Sequence, residues 1–469
     1  MLGACAAPPK PPAEAAPSAA ACPDGTPADA RCLRGTDSAG APYLIVVPQA
    51  WNQVLVVHAH GGPALGEPKA ERADEDIKRW AVVVKAGYAW AASVFRQGGV
   101  AVRSAAEDTE RVRRIFVEHV AQPRRTLLHG QSWGANVAAK AAEMYAAPGM
   151  RSPYDGVLLS SGVLGGGVRS YGFRLDLRVV YQYLCRNHPR LDEVQYPLWQ
   201  GLPPQATLTR AELGARVDEC LGLRKPAAQR TPEQARRVKT IVDVIRIPES
   251  QILAHLTWAT WHFQDIAERR TGGGNPFDNA GARYAGSNDD AALNAGVARY
   301  PADPAAVARF DDDTGLRGRI GVPVLTVHGI GDPTAFVELD AAFRETMERG
   351  GSADRLVQTF TTDREHSYLS DPAYPTLLDA LLRWVDRGEK PSPEGIARAC
   401  PTPDHSLMVR RGGRRPRPAA GPLRPCRAAA GRTASRRGSS ARARRSRPAA
   451  PAPARACARS SAARAARRC

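Results

Sequence analysis

A glycine-flanked serine, an aspartate and a histidine occur in chain order as Ser132, Asp332 and His366. Together these residue types can carry out acyl transfer without a metal. Ser132 sits in Gly130-Gln131-Ser132-Trp133-Gly134, after the apolar run Thr126-Leu127-Leu128-His129 and before an alanine-rich stretch, Ala135 to Ala147. Strand, Gly-x-Ser-x-Gly and helix together read as a nucleophile elbow, which holds a serine at a strained backbone angle with its hydroxyl outward. A serine hydroxyl is a poor nucleophile at neutral pH and needs a base, a group to orient that base, and donors for the oxyanion. His366, in Asp363-Arg364-Glu365-His366-Ser367 after the last apolar strand, is the expected base. Asp332, in Val327-His328-Gly329-Ile330-Gly331-Asp332-Pro333-Thr334, is the expected acid, and it also reads as a helix N-cap. Asp311, Asp312 and Asp313 are runners-up in what reads as a solvated loop, and His328 and His129 read as structural.

The segment His58-Ala59-His60-Gly61-Gly62-Pro63 ends an early strand and supplies the expected oxyanion hole. The Gly62 N–H is the first donor and the Trp133 backbone N–H the second; loss of one such donor costs about 3 kcal/mol of transition-state binding. His58 and His60 could instead be metal ligands, but no third ligand has sensible spacing. The expectation is therefore no metal and no cofactor. Trp258, Trp261 and Phe263 stand in the aromatic stretch Leu256 to Phe263. They read either as contacts for an apolar or aromatic substrate or as packing within a lid.

Strand-like and helix-like segments alternate from about Tyr43 to Asp386. Near-continuous apolar strands separated by amphipathic helices predict an α/β fold, a mostly parallel sheet with helices on both faces. The strands are expected at 43–47, 54–58, 88–95, 126–129, 156–160, 322–327 and 356–360, with helices at 74–85, 105–119, 135–147, 335–349 and 374–385. The rhythm stops between Ser161 and Asp311, where polar helical segments predict a large helical cap. The organisation is thus a start and tether over 1–40, a core from 41–161 and 312–400, a cap over 162–311 and a tail over 401–469.

The joint pattern of His60-Gly61-Gly62-Pro63, the Gly130–Gly134 elbow, Gly331-Asp332 and His366 resembles the α/β-hydrolase family, over about Ala41 to Lys390. The resemblance implies a serine hydrolase working through an acyl-enzyme, with a small-molecule ester or a short peptide as substrate. His-Gly-Gly-Pro together with Gly-x-Ser-Trp-Gly is also similar to the proline iminopeptidase branch, which implies a cap that recognises a free amine. Ala64 and Ala135 depart from that branch's glycines, and the amine would need carboxylates drawn from Glu212, Asp218, Glu219, Asp265 and Glu268. A carboxylic ester is the leading expectation, aminopeptidase action the second, and a non-catalytic binding protein on the same scaffold the third.

The net charge of +18 is a property of the tail. From Arg410 to Cys469 there are 19 arginines and no lysine, acidic or aromatic residue. Setting those arginines aside leaves the remainder at about −1, so specific nucleic-acid binding by the body is not expected. The tail reads as a solvated extension, as a polyanion-binding segment, or as the product of a GC-rich template read out of frame. Leu2-Gly3-Ala4-Cys5 looks like a bacterial lipobox followed by a Pro/Ala tether, with an incomplete signal peptide ahead of it. The expectation is an exported protein, periplasmic or anchored to the outer membrane through a lipid on Cys5. Cys185–Cys220 is the favoured disulfide, worth about 3–4 kcal/mol by loop closure, and Cys22–Cys32 a weaker candidate, with Cys400 left over.

Overall fold

Period-two alternation along the strands sorts the side chains into two cores, one on each face of a single sheet. The computed structural model describes residues 12–146, 152–362, 364, 366 and 373–399. Within them the strands are β1 (Ser18–Ala20), β2 (Arg31–Thr36), β3 (Pro42–Val47), β4 (Val54–Ala59), β5 (Ala89–Ser93), β6 (Arg125–Gln131), β7 (Gly156–Ser160), β8 (Val324–Gly329) and β9 (Leu356–Thr361). The helices are α1 (Arg72–Lys85), α2 (Val102–His119), α3 (Trp133–Met144), α4 (Gly166–Tyr171), α5 (Phe173–Cys185), α6 (Arg210–Leu221), α7 (Pro232–Ile245), α8 (Ile252–Asp265), α9 (Asp290–Gly296), α10 (Pro304–Thr314), α11 (Glu338–Arg349), α12 (Ala373–Arg387) and α13 (Pro393–Ala399).

The sheet order is β1-β2-β3-β5-β4-β6-β7-β8-β9. Pairing is antiparallel from β1 through β3 to β5 and parallel from there to β9. In β4, Val54 and Val56 pack with Ile77 and Trp80 of α1 and Leu377 and Leu381 of α12. Leu55 and Val57 face the other way, onto Ile115 and Phe116 of α2 and Val137 and Ala141 of α3. This is an α/β-hydrolase fold. β4 lies between β5 and β6, so the crossovers from β4 to β5 and from β5 to β6 run in opposite directions across the sheet and open a crevice beyond the carboxyl ends of β4 and β6.

Helices α4 to α10 lie in the chain between β7 and β8, where the helical insertion was expected. Asp311 to Asp313, expected in a solvated loop, instead end α10. The Asp313 carboxylate accepts the Val102 and Arg103 N–H groups at 3.2 and 2.8 Å and so caps the start of α2.

The stretch read as a tether also needs correction. Residues 18–36 contribute β1 and β2, which extend the sheet past β3. Glu14 accepts the Ser38 N–H at 2.8 Å. Strand pairing is held by backbone hydrogen bonds, so Arg31-Cys32-Leu33-Arg34-Gly35-Thr36 pairs with β1 and β3 without an apolar run. Cys5, Cys400 and the arginine-rich tail lie outside the described residues. No described helix is long and apolar enough to cross a membrane.

Cys22 is bonded to Cys32 and Cys185 to Cys220. The second bridge ties the end of α5 to α6 within the insertion and closes a separation of 35 residues. Replacing Cys185 and Cys220 together by serine is expected to lower unfolding free energy by about 3–4 kcal/mol through loop-closure entropy, read from urea titrations.

Candidate active site

Four loops at the carboxyl ends of β4, β6, β8 and β9 build the site. Ser132 joins β6 to α3 with φ 58° and ψ −122°, a left-handed conformation that costs an L-residue on the order of 1–3 kcal/mol. The surrounding packing enforces it. A Cβ on Gly130 would stand 2.2 Å from the Gly134 carbonyl oxygen, and one on Gly134 would stand 2.1 Å from that of Ala59. The Ser132 N–H donates to Ser160 O at 2.9 Å, and Ser132 O accepts the Val163 N–H at 3.0 Å.

The structure brings Ser132, His366 and Asp332 into one chain of hydrogen bonds. The Ser132 hydroxyl donates to His366 Nε2 at 2.7 Å, and His366 Nδ1–H donates to Asp332 Oδ2 at 2.8 Å. Asp332 Oδ1 also accepts the Thr334 and Ala335 N–H groups at 2.8 and 3.0 Å, so the N-cap-like reading and the relay reading of this residue coexist. Burial alone would raise the Asp332 carboxyl, but hydrogen bonds from His328 and His366 outweigh it and hold the group well below the usual carboxylate range.

His328 is part of this network, which its sequence position in a strand did not reveal. Its Nδ1 faces Asp340 Oδ2 and its Nε2 faces Ala335 O at 2.8 Å, with Asp332 Oδ2 at 3.5 Å. Two acceptors on two ring nitrogens require both to carry protons. Burial works against that charge, yet Asp340 and Asp332 overcome it and push His328 up to about 10.

The loop expected to supply the oxyanion donors is shaped by Arg72. Its guanidinium donates to Gly61 O at 2.9 Å and pairs with Asp76 at 3.2 Å. In the planar trans peptide joining Gly61 to Gly62, fixing the carbonyl toward Arg72 aims the Gly62 N–H the opposite way. Gly62 holds φ at +73°, a region glycine enters without strain. Trp133 opens α3, so its N–H has no partner within the helix. Gly62, Trp133, Ser132 and His366 line a common cavity of about 430 Å³. A second cavity of about 300 Å³ shares Pro63, Arg72 and Trp133 with it.

The aromatic residues of α8 separate. Trp258 lines the cavity. Phe263 does not; it is fully buried and stacks on Phe277 at 4.5 Å, as interior packing of the insertion. Trp261 is also outside the lining, with Arg210 5.2 Å from its ring centroid. Successive turns of a helix face different surroundings, and the sequence alone did not orient this one. Cavity residues missed in the sequence are Ser170, Tyr171 and Arg174. Arg174 is buried, and burial draws it down to about 9, still protonated at neutral pH.

The carboxylates that a free amine would need are elsewhere. Glu212 caps its own helix with Thr209, Asp218 accepts the Arg224 N–H, Glu219 pairs with Arg190, Asp265 accepts the Val100 N–H, and Glu268 is exposed. None lines the cavity. His58 Nδ1 meets His129 Nδ1 at 3.0 Å and His60 stacks on Phe95 at 4.4 Å. Among the described residues no group of three or more His, Cys, Asp and Glu is arranged to hold a metal ion.

No family model matches the chain, and no curated protein matches it. Among solved structures it is similar to feruloyl esterase B from Aspergillus oryzae, at 13% identity and TM-score 0.42 over 81% of this chain and 88% of that one. It is also similar to an esterase from the same organism, at 15% identity and TM-score 0.40 over 77% and 80% of the two chains. A third is the rice cell wall degrading esterase LipA from Xanthomonas oryzae, at 14% identity and TM-score 0.34 over 71% and 83%.

The His328 charge has a stability signature. Its folded pKa, about 10, exceeds the ordinary 6.5, so its contribution is complete below 6.5 and is lost as pH climbs through 10. Urea titrations of wild type and His328→Gln should differ most near pH 6 and converge by about pH 10.

Proposed function

We propose that the chain is a serine hydrolase that cleaves a carboxylic ester through an acyl-enzyme. The observation that carries this reading is the unbroken relay from the Ser132 hydroxyl through His366 to Asp332, at 2.7 and 2.8 Å, beside a cavity large enough for a small substrate.

In this mechanism Ser132 Oγ attacks the ester carbonyl carbon while His366 Nε2 takes the hydroxyl proton. The resulting imidazolium is held by Asp332, which also keeps the ring's Nδ1–H pointed away from the serine. Negative charge on the carbonyl oxygen is received by the Gly62 and Trp133 N–H groups. His366 returns its proton to the alcohol oxygen as the C–O bond breaks. Water, deprotonated by the same imidazole, then releases the acid from Ser132.

The cavity lining favours the ester over the aminopeptidase alternative, because no described Asp or Glu is placed there to receive an ammonium group. The two disulfides support an oxidising compartment, and hence export.

A fluorophosphonate probe should label wild type at Ser132, and short p-nitrophenyl esters should be turned over. Ser132→Ala should lower kcat by about 10⁴-fold or more while circular dichroism stays unchanged. A silent binding protein on this scaffold would neither label nor turn over. Asp332→Asn, which leaves His366 free to adopt the wrong tautomer, should cost about 10⁴-fold in kcat. Arg72→Met should lower kcat more than it raises KM, since it frees the peptide that carries the Gly62 N–H.

A further inference from the structure

Arg174 stands near the start of α5 and is 4% exposed. Its guanidinium carbon lies 4.4 Å from the Trp258 ring centroid and 4.5 Å from that of Phe173. Nη1 reaches Ser170 O only at 3.5 Å, Nε is buried without a hydrogen-bond partner, and no carboxylate is paired with the group among the described residues. One turn on, Arg178 is equally buried but donates Nη1 to Gly201 O at 2.9 Å and Ala259 O at 3.1 Å. Arg178 braces the backbone; Arg174 has no comparable acceptor among the described residues.

A desolvated cation recovers part of its lost hydration from aromatic faces, but its N–H groups still require acceptors. Arg174 borders the cavity that contains Ser132 and His366. Arg72 and Arg79 also line that cavity, whereas no Asp or Glu among the described residues does. Arg72 is paired with Glu75 and Asp76, which leaves Arg174 as a lining cation without a paired carboxylate among the described residues, and Tyr171 and Trp258 give the cavity flat apolar walls.

We propose that Arg174 is a specificity residue that binds a carboxylate carried by the substrate, so that the preferred esters are anionic, such as half-esters of dicarboxylic acids. The inference rests on the ester-hydrolase reading of Ser132. A planar guanidinium held over an indole keeps its rim N–H groups available for the paired oxygens of a carboxylate.

The test compares mono-p-nitrophenyl glutarate with neutral p-nitrophenyl valerate. Wild type should favour the glutarate ester in kcat/KM, and the ratio of the two values should fall by about 10- to 100-fold in Arg174→Met, the scale of a charged hydrogen bond. Arg174→Lys should restore part of the ratio. A second arm needs no turnover: in Ser132→Ala, glutarate should perturb tryptophan fluorescence and glutaramide should not. Equal kcat/KM values in wild type, or a ratio unmoved by Arg174→Met, would overturn the assignment. Loss of both hydrolysis and fluorophosphonate labelling would instead defeat the ester reading, and the fluorescence arm would then decide alone. Selective glutarate binding would sustain the Arg174 subsite, whereas no binding, or tighter binding of inorganic phosphate, would refute it.

Discussion

The carboxylate of Asp332 is the constraint around which the site is organised. It is buried, and a buried carboxylate survives only if its oxygens are satisfied. Two backbone N–H groups and the His366 ring do this directly, with His328 close by. His328 is in turn held by Asp340, which accepts from the Thr326 hydroxyl at 3.0 Å and is in reach of the Gln358 amide. Two carboxylates and one imidazolium leave the cluster with net negative charge.

Helix α8 links the two halves of the crevice. His255 Nε2 donates to Pro333 O at 3.0 Å, beside the acid, and His262 Nε2 donates to Pro63 O at 2.9 Å, beside the oxyanion loop. Burial lowers both histidines, to about 3 and about 4, so they remain neutral donors across the working range. His262 also stacks on Trp258 at 4.6 Å, which places the ring adjacent to Arg174 in register with the oxyanion loop. The insertion is thus joined to the loops that carry Asp332 and Gly62 by hydrogen bonds as well as by apolar packing.

Much of the core was legible because apolar side chains must alternate between two packed faces. The elements around Val54–Ala59, Gly156–Ser160 and Leu356–Thr361 were readable within a residue or so. β1 and β2 were not, since strand pairing rests on backbone bonds and neither segment carries an apolar run. Phe263 and Trp258 were read alike from composition, yet one fills the interior of the insertion and the other faces the cavity.

By itself the sequence determined the local motif at Ser132. An elbow can be read from adjacent residues because the strained turn demands small neighbours within a few positions of Ser132. Chain order and strand ends likewise singled out Asp332 and His366. Only the tertiary structure decided which distant groups share a wall: that His328 supports Asp332, that Arg72 sets the Gly61–Gly62 peptide, and that Arg174 borders the cavity. Those relations depend on how helices rotate and insertions dock. They are set by packing between elements far apart in the chain, for which no short spacing in the sequence carries a signal.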